Sequence, residues 1–234
     1  MKKKNYPILP LAALAFTAGS SHAAVVTTGV NAGTTQLAYS GDVSASDLLT
    51  GLTATTTGWN FTSGATPANL NDGSGGTSFD VVGGAAIATI VWTTVGATAE
   101  YNLGPGANGL GFDITSIQSI ADWNGVGFGN QGYTVEVKPV GGSYMTVATI
   151  DYQPLGGAGS TKVTVTEDTT GVVASGIEFI KFTANSVNGG ANSGAFTARE
   201  IDVFGSDTVA VPEPSSAVLL GVGGLALFGR RRRK

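Results

Sequence analysis

The chain has 234 residues, of which 42% are hydrophobic and 12% are charged. This length and hydrophobic content allow one sizeable core or a small pair of domains, and the low charge argues against a coiled-coil protein. Cysteine is absent, which excludes disulfides, thiolate nucleophiles and cysteine-ligated metals. The single histidine, His22, lies in a segment that we expect to be removed, so most hydrolase mechanisms are excluded as well.

Residues 1–23 have the pattern of a secretory signal peptide. Lysines at positions 2–4 precede an apolar run over residues 8–18, and Ser21 and Ala23 place small residues where a signal peptidase acts. We predict cleavage after Ala23. An uncleaved membrane anchor is the alternative, but the apolar run is about half of the ~20 residues that span a bilayer.

The C-terminal tail combines three unlike elements in order. Its members are Pro212, Glu213 and Pro214, an apolar stretch over residues 217–229, and a basic end formed by Arg230, Arg231, Arg232, Arg233 and Lys234. The basic end should stay cytoplasmic under the positive-inside rule. At 1.5 Å per residue the apolar stretch covers only about 20 Å of a ~30 Å hydrocarbon core, which indicates a transient anchor.

This tail resembles that of the PEP-CTERM proteins of Gram-negative bacteria, which carry a Pro-Glu-Pro motif, a short hydrophobic helix and an arginine cluster. The resemblance covers residues 212–234. It implies processing near the motif by an exosortase, a membrane transpeptidase-like enzyme, while signal peptidase acts at the other end. It further implies a cell-surface or matrix protein associated with extracellular polysaccharide and biofilm. An ordinary C-terminal membrane anchor is the alternative.

The exported part, residues 24–211, is strongly acidic. It keeps 15 acidic residues and only four basic ones, giving a net charge of −11, and the basic residues are Lys138, Lys162, Lys181 and Arg199. Nucleic acid and anionic membrane surfaces attract cationic proteins. Neither is therefore an expected partner of this region.

Residues 24–205 are predicted to form a single all-β sandwich, joined by a linker over residues 206–211 to the tail. Short β-rich runs are separated by Gly, Asn and Asp clusters, and they cover residues 85–95, 100–103, 114–120, 133–140, 145–152, 162–166, 177–183 and 198–204. Apolar and polar residues alternate over 133–138, so one face should be buried and the other hydrated. Ile180 and Phe182 are predicted to point into the core. Gly141 and Gly142 indicate a hairpin turn.

The order of these runs resembles the galactose-binding-like jelly roll, the discoidin or coagulation-factor type C sandwich. The residues that carry the resemblance are 69–73 with Thr77, then 99–103, 114–123, 132–137, 142–148 and 199–205. The cysteines that brace many animal members are absent from this chain.

A hard cation could be bound between residues 70 and 77. Asp72 offers a carboxylate, Thr77 a hydroxyl, and the neighbouring glycines leave carbonyl oxygens accessible, a set that suits Ca²⁺. The resemblance implies a structural calcium at this loop, closed by an acidic residue of the final strand, and Glu200 occupies that position. A plain Asp-Gly turn is an equally good interpretation.

A sugar-binding loop is predicted between two strands. Its members are Trp123, Asn124, Phe128 and Asn130, and Trp59 is a second candidate. Aromatic rings stack on the apolar face of a sugar while amides bond its hydroxyls. The alternative for Trp123 is a place in the core, where aromatic residues are usually buried.

Three functions remain open. One is non-catalytic carbohydrate binding, and another is a structural coat component without a ligand. The remaining one is a glycoside hydrolase that uses two carboxylates, with candidates Glu100, Asp113, Asp122, Glu136, Asp151 and Glu178. Nearly all of these acids are expected on hydrated strand faces and turns, which favours a protein that is not an enzyme.

Overall fold

A computed structural model of the chain describes residues 24–33, 38–61, 65–75, 91–123, 127–185 and 197–210, and only the backbone of residues 91–94. Over these residues the chain forms β1 (Val25–Ala32), β2 (Thr55–Phe61), β3 (Val91–Asn102), β4 (Phe112–Trp123), β5 (Gln131–Pro139), β6 (Met145–Tyr152), β7 (Gly159–Thr166), β8 (Ala174–Ala184) and β9 (Thr197–Asp207). The predicted signal peptide and tail, Asn124 and Thr77 lie outside these ranges.

The strands form an antiparallel sheet that closes into two layers. Eight strands follow the order β1-β7-β4-β9-β3-β8-β5-β6, and β2 pairs with β3. β3 joins the layers, because its first residues pair with β9 while residues 98–102 pair with β8. Ser119 on β4 bonds Tyr133 on β5 across the interior at 2.6 Å. The predicted all-β sandwich is therefore confirmed.

The core follows the alternation of the sequence. Tyr133, Val135 and Val137 on β5 are at most 2% exposed. Ile180 and Phe182 on β8 are buried as predicted, while their polar neighbours face outward. These apolar side chains of β5 and β8 thus lie between the layers, where their burial drives folding.

The outer faces of the two layers differ. Segments 38–54 and 65–75 cover the β4–β9 layer, and backbone N–H groups of Leu48 and Gly73 bond directly to β9. The outer face of β8 and β5 carries half-buried Lys138 over the Phe179 ring at 4.5 Å and Lys181 over Tyr144 at 4.2 Å. Buried polar groups are thus concentrated on the β4–β9 layer.

One strand prediction was wrong, and β2 was missed. Runs 85–95 and 100–103 were predicted as separate strands, whereas the described part of this region is one strand, β3. Gly96, at φ 83°, lets β3 bend between the layers without ending. β2 was not predicted, because its alternation is weak and its residues are mostly polar.

The predicted hairpin at Gly141 is confirmed by a turn in which the Gly142 N–H bonds the Pro139 carbonyl at 2.9 Å.

Candidate functional site

One end of the sandwich carries three of the five predicted sugar-binding residues, Trp123, Phe128 and Asn130. Here β4 ends and β5 begins, and Trp123 lies opposite Gly159 while Gln131 lies opposite Tyr152. We call this the loop end and define it by Trp123 and residues 127–130 and 153–158. Backbone bonds join its two segments, among them that from the Gly127 N–H to the Gly157 carbonyl at 3.1 Å.

Trp123 is a half-buried aromatic residue of the loop end. Its ring meets the ring of Phe128 edge-on, with centroids 5.5 Å apart and an interplanar angle of 67°. Phe128 is only 3% exposed, so it supports the indole from the interior. Edge-to-face pairs of this kind hold both rings in one orientation. The exposed part of the Trp123 ring is therefore presented in a fixed direction.

Asn130 fixes the backbone of the loop end. Its Nδ2 donates to the Leu155 carbonyl and its Oδ1 accepts from the Leu155 N–H, both at 2.8 Å, and the residue is completely buried. Its amide is thus committed to the protein and does not face outward. Gly129 allows this close approach, since a Cβ there would lie 2.3 Å from the Gly159 carbonyl oxygen.

Trp59, on β2, lies beside the interior of the sandwich. It is half-buried and lines a small interior cavity together with Ser119 and Tyr133. Ser119 also donates to Gln131, whose Nε2 bonds the Thr161 hydroxyl at 2.9 Å. This side of Trp59 therefore faces the interior, beside a buried polar network.

A buried ion pair lies next to Trp123, and sequence reasoning missed it. Arg199 Nη2 is 3.4 Å from Asp122 Oδ1, both residues are fully buried, and the Ser160 hydroxyl donates to Asp122 Oδ2 at 2.5 Å. Arg199 is the extra residue of a bulge, since Glu200 pairs with Ile120 and Ala198 with Ala121. Burial lowers the pKa of Arg199, and Asp122 opposes that shift.

The proposed cation loop is held against β9. Glu200 is fully buried, and its Oε1 accepts from the Gly73 N–H at 2.9 Å. Asp72 is exposed and accepts from the Asn69 amide at 2.7 Å and from the Ser74 N–H at 3.0 Å. Gly73 adopts φ 75°, as expected of an Asp-Gly turn. The structure thus combines the turn with the predicted approach of Glu200.

The acidic groups around Glu200 are not balanced by a described cation. Glu200 Oε2 is buried and has no hydrogen-bond partner among the described residues. Burial, followed by the charges of Asp202, Asp72 and Asp47, raises the pKa of Glu200 to about 9 against the opposing Gly73 bond. Burial likewise raises the pKa of Asp202 to about 6. A divalent cation bound here would favour the ionised form of Glu200 and would accept a lone pair of Oε2, an oxygen donor of the kind that Ca²⁺ takes.

No group of three or more His, Cys, Asp or Glu side chains placed to hold a metal occurs in the described ranges. A cation site there would therefore draw on carbonyls, as the sequence predicts, and on Thr77, which lies outside those ranges.

The Arg199–Asp122 ion pair had one signal in the sequence, because Arg199 is the single arginine of residues 24–211.

The C-terminal tail is identified by comparison with protein families. Residues 210–234 match the family model for the PEP-CTERM protein-sorting motif. This confirms the tail predicted from Pro212-Glu213-Pro214 and the arginine cluster. The motif indicates an exported protein that is processed at the cell envelope, and it implies exosortase as the processing enzyme. Within the described residues no helix is long and apolar enough to cross a membrane.

Solved structures similar to the chain include several sugar-binding proteins. CpGH89CBM32-5 from Clostridium perfringens, in complex with GalNAc-beta-1,3-galactose, is 19% identical with a TM-score of 0.45, over 68% of this chain and 99% of that one. The family 32 CBM of C. perfringens NanJ, in complex with galactose, is 23% identical with a TM-score of 0.39, over 65% and 92%. A fucolectin from striped bass serum is 16% identical with a TM-score of 0.45, over 68% and 48%. None of the curated proteins compared with the chain matches it.

Proposed function

We propose that this chain is an exported, non-catalytic carbohydrate-binding protein of the cell surface or extracellular matrix, where it associates with exopolysaccharide and biofilm. The observation that carries the proposal is the half-buried Trp123 ring, held edge-on by buried Phe128 at the loop end. A sugar would stack its apolar face on this indole while polar groups of the surrounding loops bond its hydroxyls. Asn124 is proposed to be one of them.

Pre-organisation supports a binding role for Trp123. The Asn130–Leu155 bonds and the packing of Gly129 fix the loop before any ligand arrives. Binding then costs little ordering of the protein, which favours affinity for a weakly held ligand such as a sugar. Phe128 and Asn130 contribute by holding the loop, and Trp59 would contribute from a separate position.

The acidic residues support binding without turnover. A glycoside hydrolase needs two carboxyl groups free to meet one substrate. Asp122 is instead neutralised by Arg199, and Glu136 pairs with Lys181 at 2.8 Å. Asp113 accepts from the Thr208 hydroxyl at 2.7 Å. Half of the six candidate acids are thus engaged in holding the fold together.

Calcium is proposed as a structural partner of the fold. Glu200 and Asp72 would hold it with loop carbonyls and Thr77, and the bound ion would neutralise the buried acidic cluster. Calcium should raise the melting temperature of the wild type and a chelator should lower it, because a ligand that binds only the folded state stabilises that state. Glu200→Gln should lose most of this response, whereas Asp151→Asn, an exposed residue on β6, should keep it. A melting temperature indifferent to both calcium and chelator would remove calcium from the proposal.

Glycan-array binding tests the function. The wild type should bind, and Trp123→Ala should weaken binding by about tenfold or more, since a stacked ring contributes well over 1 kcal/mol. Tyr144→Ala is the matched control, because it removes a half-buried aromatic side chain outside the loop end. Equal binding by both variants would contradict the role of Trp123. Release of reducing ends by the wild type would instead favour the hydrolase.

A further inference from the structure

β1 is the outermost strand of its layer. It pairs with β7 along its whole length, from Val25 opposite Thr166 to Ala32 opposite Gly159. No strand in the described ranges pairs with its other edge. The described strands therefore leave a row of backbone N–H and C=O groups of β1 unpaired, and such a row is a template for another strand.

The side chains of β1 leave an apolar flank of the core uncovered. Val26, Thr28 and Val30 lie opposite Val165, Val163 and Thr161, all of which are buried. Val26 and Val30 themselves are 42% and 46% exposed. The apolar interior between the two layers is therefore exposed to solvent along β1.

Charge makes this edge unlike the rest of the exported protein. Residues 24–41 contain no charged side chain, although residues 24–211 carry a net charge of −11. Like charges oppose the approach of two copies over most of the surface. β1 is a place where two copies can meet without that repulsion.

The opposite edge of the sheet is protected. β6 carries exposed Asp151, and a bulge interrupts its pairing with β5 between Val135 and Glu136. Charges and bulges are the devices by which edge strands avoid pairing with other chains. β1 has neither a charge nor a bulge, and it also lacks proline.

We propose that β1 is a self-pairing edge, at which two copies of this chain join their sheets antiparallel about a two-fold axis. The register centred on Thr28 places Thr28 opposite Thr28 of the second copy. Val26 of each copy then lies opposite Val30 of the other, so the exposed valines cover each other. The sequence of β1 is self-complementary in this register, as a two-fold interface requires. This proposal does not rest on the proposed sugar-binding role of Trp123.

The dimer is expected to be weak. An edge of eight residues is small compared with stable interfaces, which bury about 1,200–2,000 Å². Pairing would therefore form mainly where copies are concentrated on a surface, and two joined copies would bind a polymer with avidity.

Disulfide trapping tests the register, because the chain has no cysteine of its own. Thr28→Cys, in full-length protein expressed in cells, should give a covalent dimer in the envelope fraction under mild oxidation, since residues at the two-fold lie within disulfide reach. Thr149→Cys is the matched control, another exposed threonine, on β6. The proposal requires clearly more dimer from Thr28→Cys. Equal or greater cross-linking through Thr149→Cys would overturn it.

Sedimentation equilibrium of the processed protein tests the apolar contact. The wild type should associate with a dissociation constant that Val26→Lys with Val30→Lys raises about tenfold or more, because like charges would then face each other across the axis. Val140→Lys with Val209→Lys changes two exposed valines outside β1 and should leave the constant within about twofold. A wild type that stays monomeric at millimolar concentration, or a dimer insensitive to the β1 change, would overturn the proposal.

Discussion

The buried Arg199–Asp122 pair should contribute far more to stability than the shorter pair on the opposite layer. Asp122→Asn keeps the shape of the side chain and an acceptor for Ser160 but removes the charge that Arg199 faces at 3.4 Å. Breaking a fully buried pair leaves an uncompensated charge and costs about 3–5 kcal/mol of unfolding free energy. For a domain of this size that is a fall of about 6–20 °C in melting temperature.

Glu136→Gln is the matched control for this prediction. Glu136 and Lys181 lie 2.8 Å apart, but their side chains are 25% and 22% exposed. Water screens such a pair, so its loss should cost only about 0–1 kcal/mol. Thermal and denaturant unfolding of both variants would measure the difference. The order would be reversed if distance rather than burial determined the energy, and equal losses would show that burial of the pair makes no difference.

A double-mutant cycle separates the charge from the packing. Arg199→Met, combined with Asp122→Asn, removes both charges while keeping most of the buried volume. The double variant should be more stable than Asp122→Asn alone, because no isolated charge remains in the interior. A double variant at least as unstable as the sum of the single changes would show that the two groups act independently.

The remaining predictions concern two loops. Burial alone would raise the pKa of Glu167, but hydrogen bonds from Thr170 and Thr169 outweigh it and lower the pKa from 4.5 to about 2. The stabilisation from this depressed pKa is complete above about pH 4.5 and is lost as pH falls through 2. The melting temperatures of the wild type and Glu167→Gln should therefore converge towards pH 2. A difference in melting temperature that stays constant with pH would contradict this cause. Gly129→Ala should cost at least about 1–3 kcal/mol by urea unfolding, because its Cβ would overlap the Gly159 carbonyl, while Gly157→Ala, with open space around it, should stay within about 0.5 kcal/mol. Equal costs at both glycines would rule out that overlap.

The sequence predicts best where burial alternates along a strand. The run predicted over residues 145–152 has the bounds of β6, and the inward direction of Ile180 and Phe182 is confirmed. Both follow from a period of two, which depends on local sequence alone. β2 lacked that signal, and Gly96 concealed the continuity of β3 because a glycine also ends strands.

The roles of the loop-end residues depend on partners that are distant in the sequence. Asn130 and Phe128 were predicted to face a sugar, and the structure places both in the interior of the loop end. The bond that orients Asn130 comes from Leu155, 25 residues away, and Asp122 meets Arg199 across 77 residues. Composition and spacing cannot reveal such pairs. Glu200 was placed beside the Asp72 loop by resemblance, and its bond to Gly73 agrees with that placement.

Calorimetric titration of the processed protein with exopolysaccharide from its own host most directly tests whether Trp123 binds carbohydrate. The wild type should bind saturably, Trp123→Ala should lose most of the affinity, and no new reducing ends should appear over the course of the titration. Absence of binding, or binding unchanged by Trp123→Ala, would contradict a carbohydrate-binding role of Trp123.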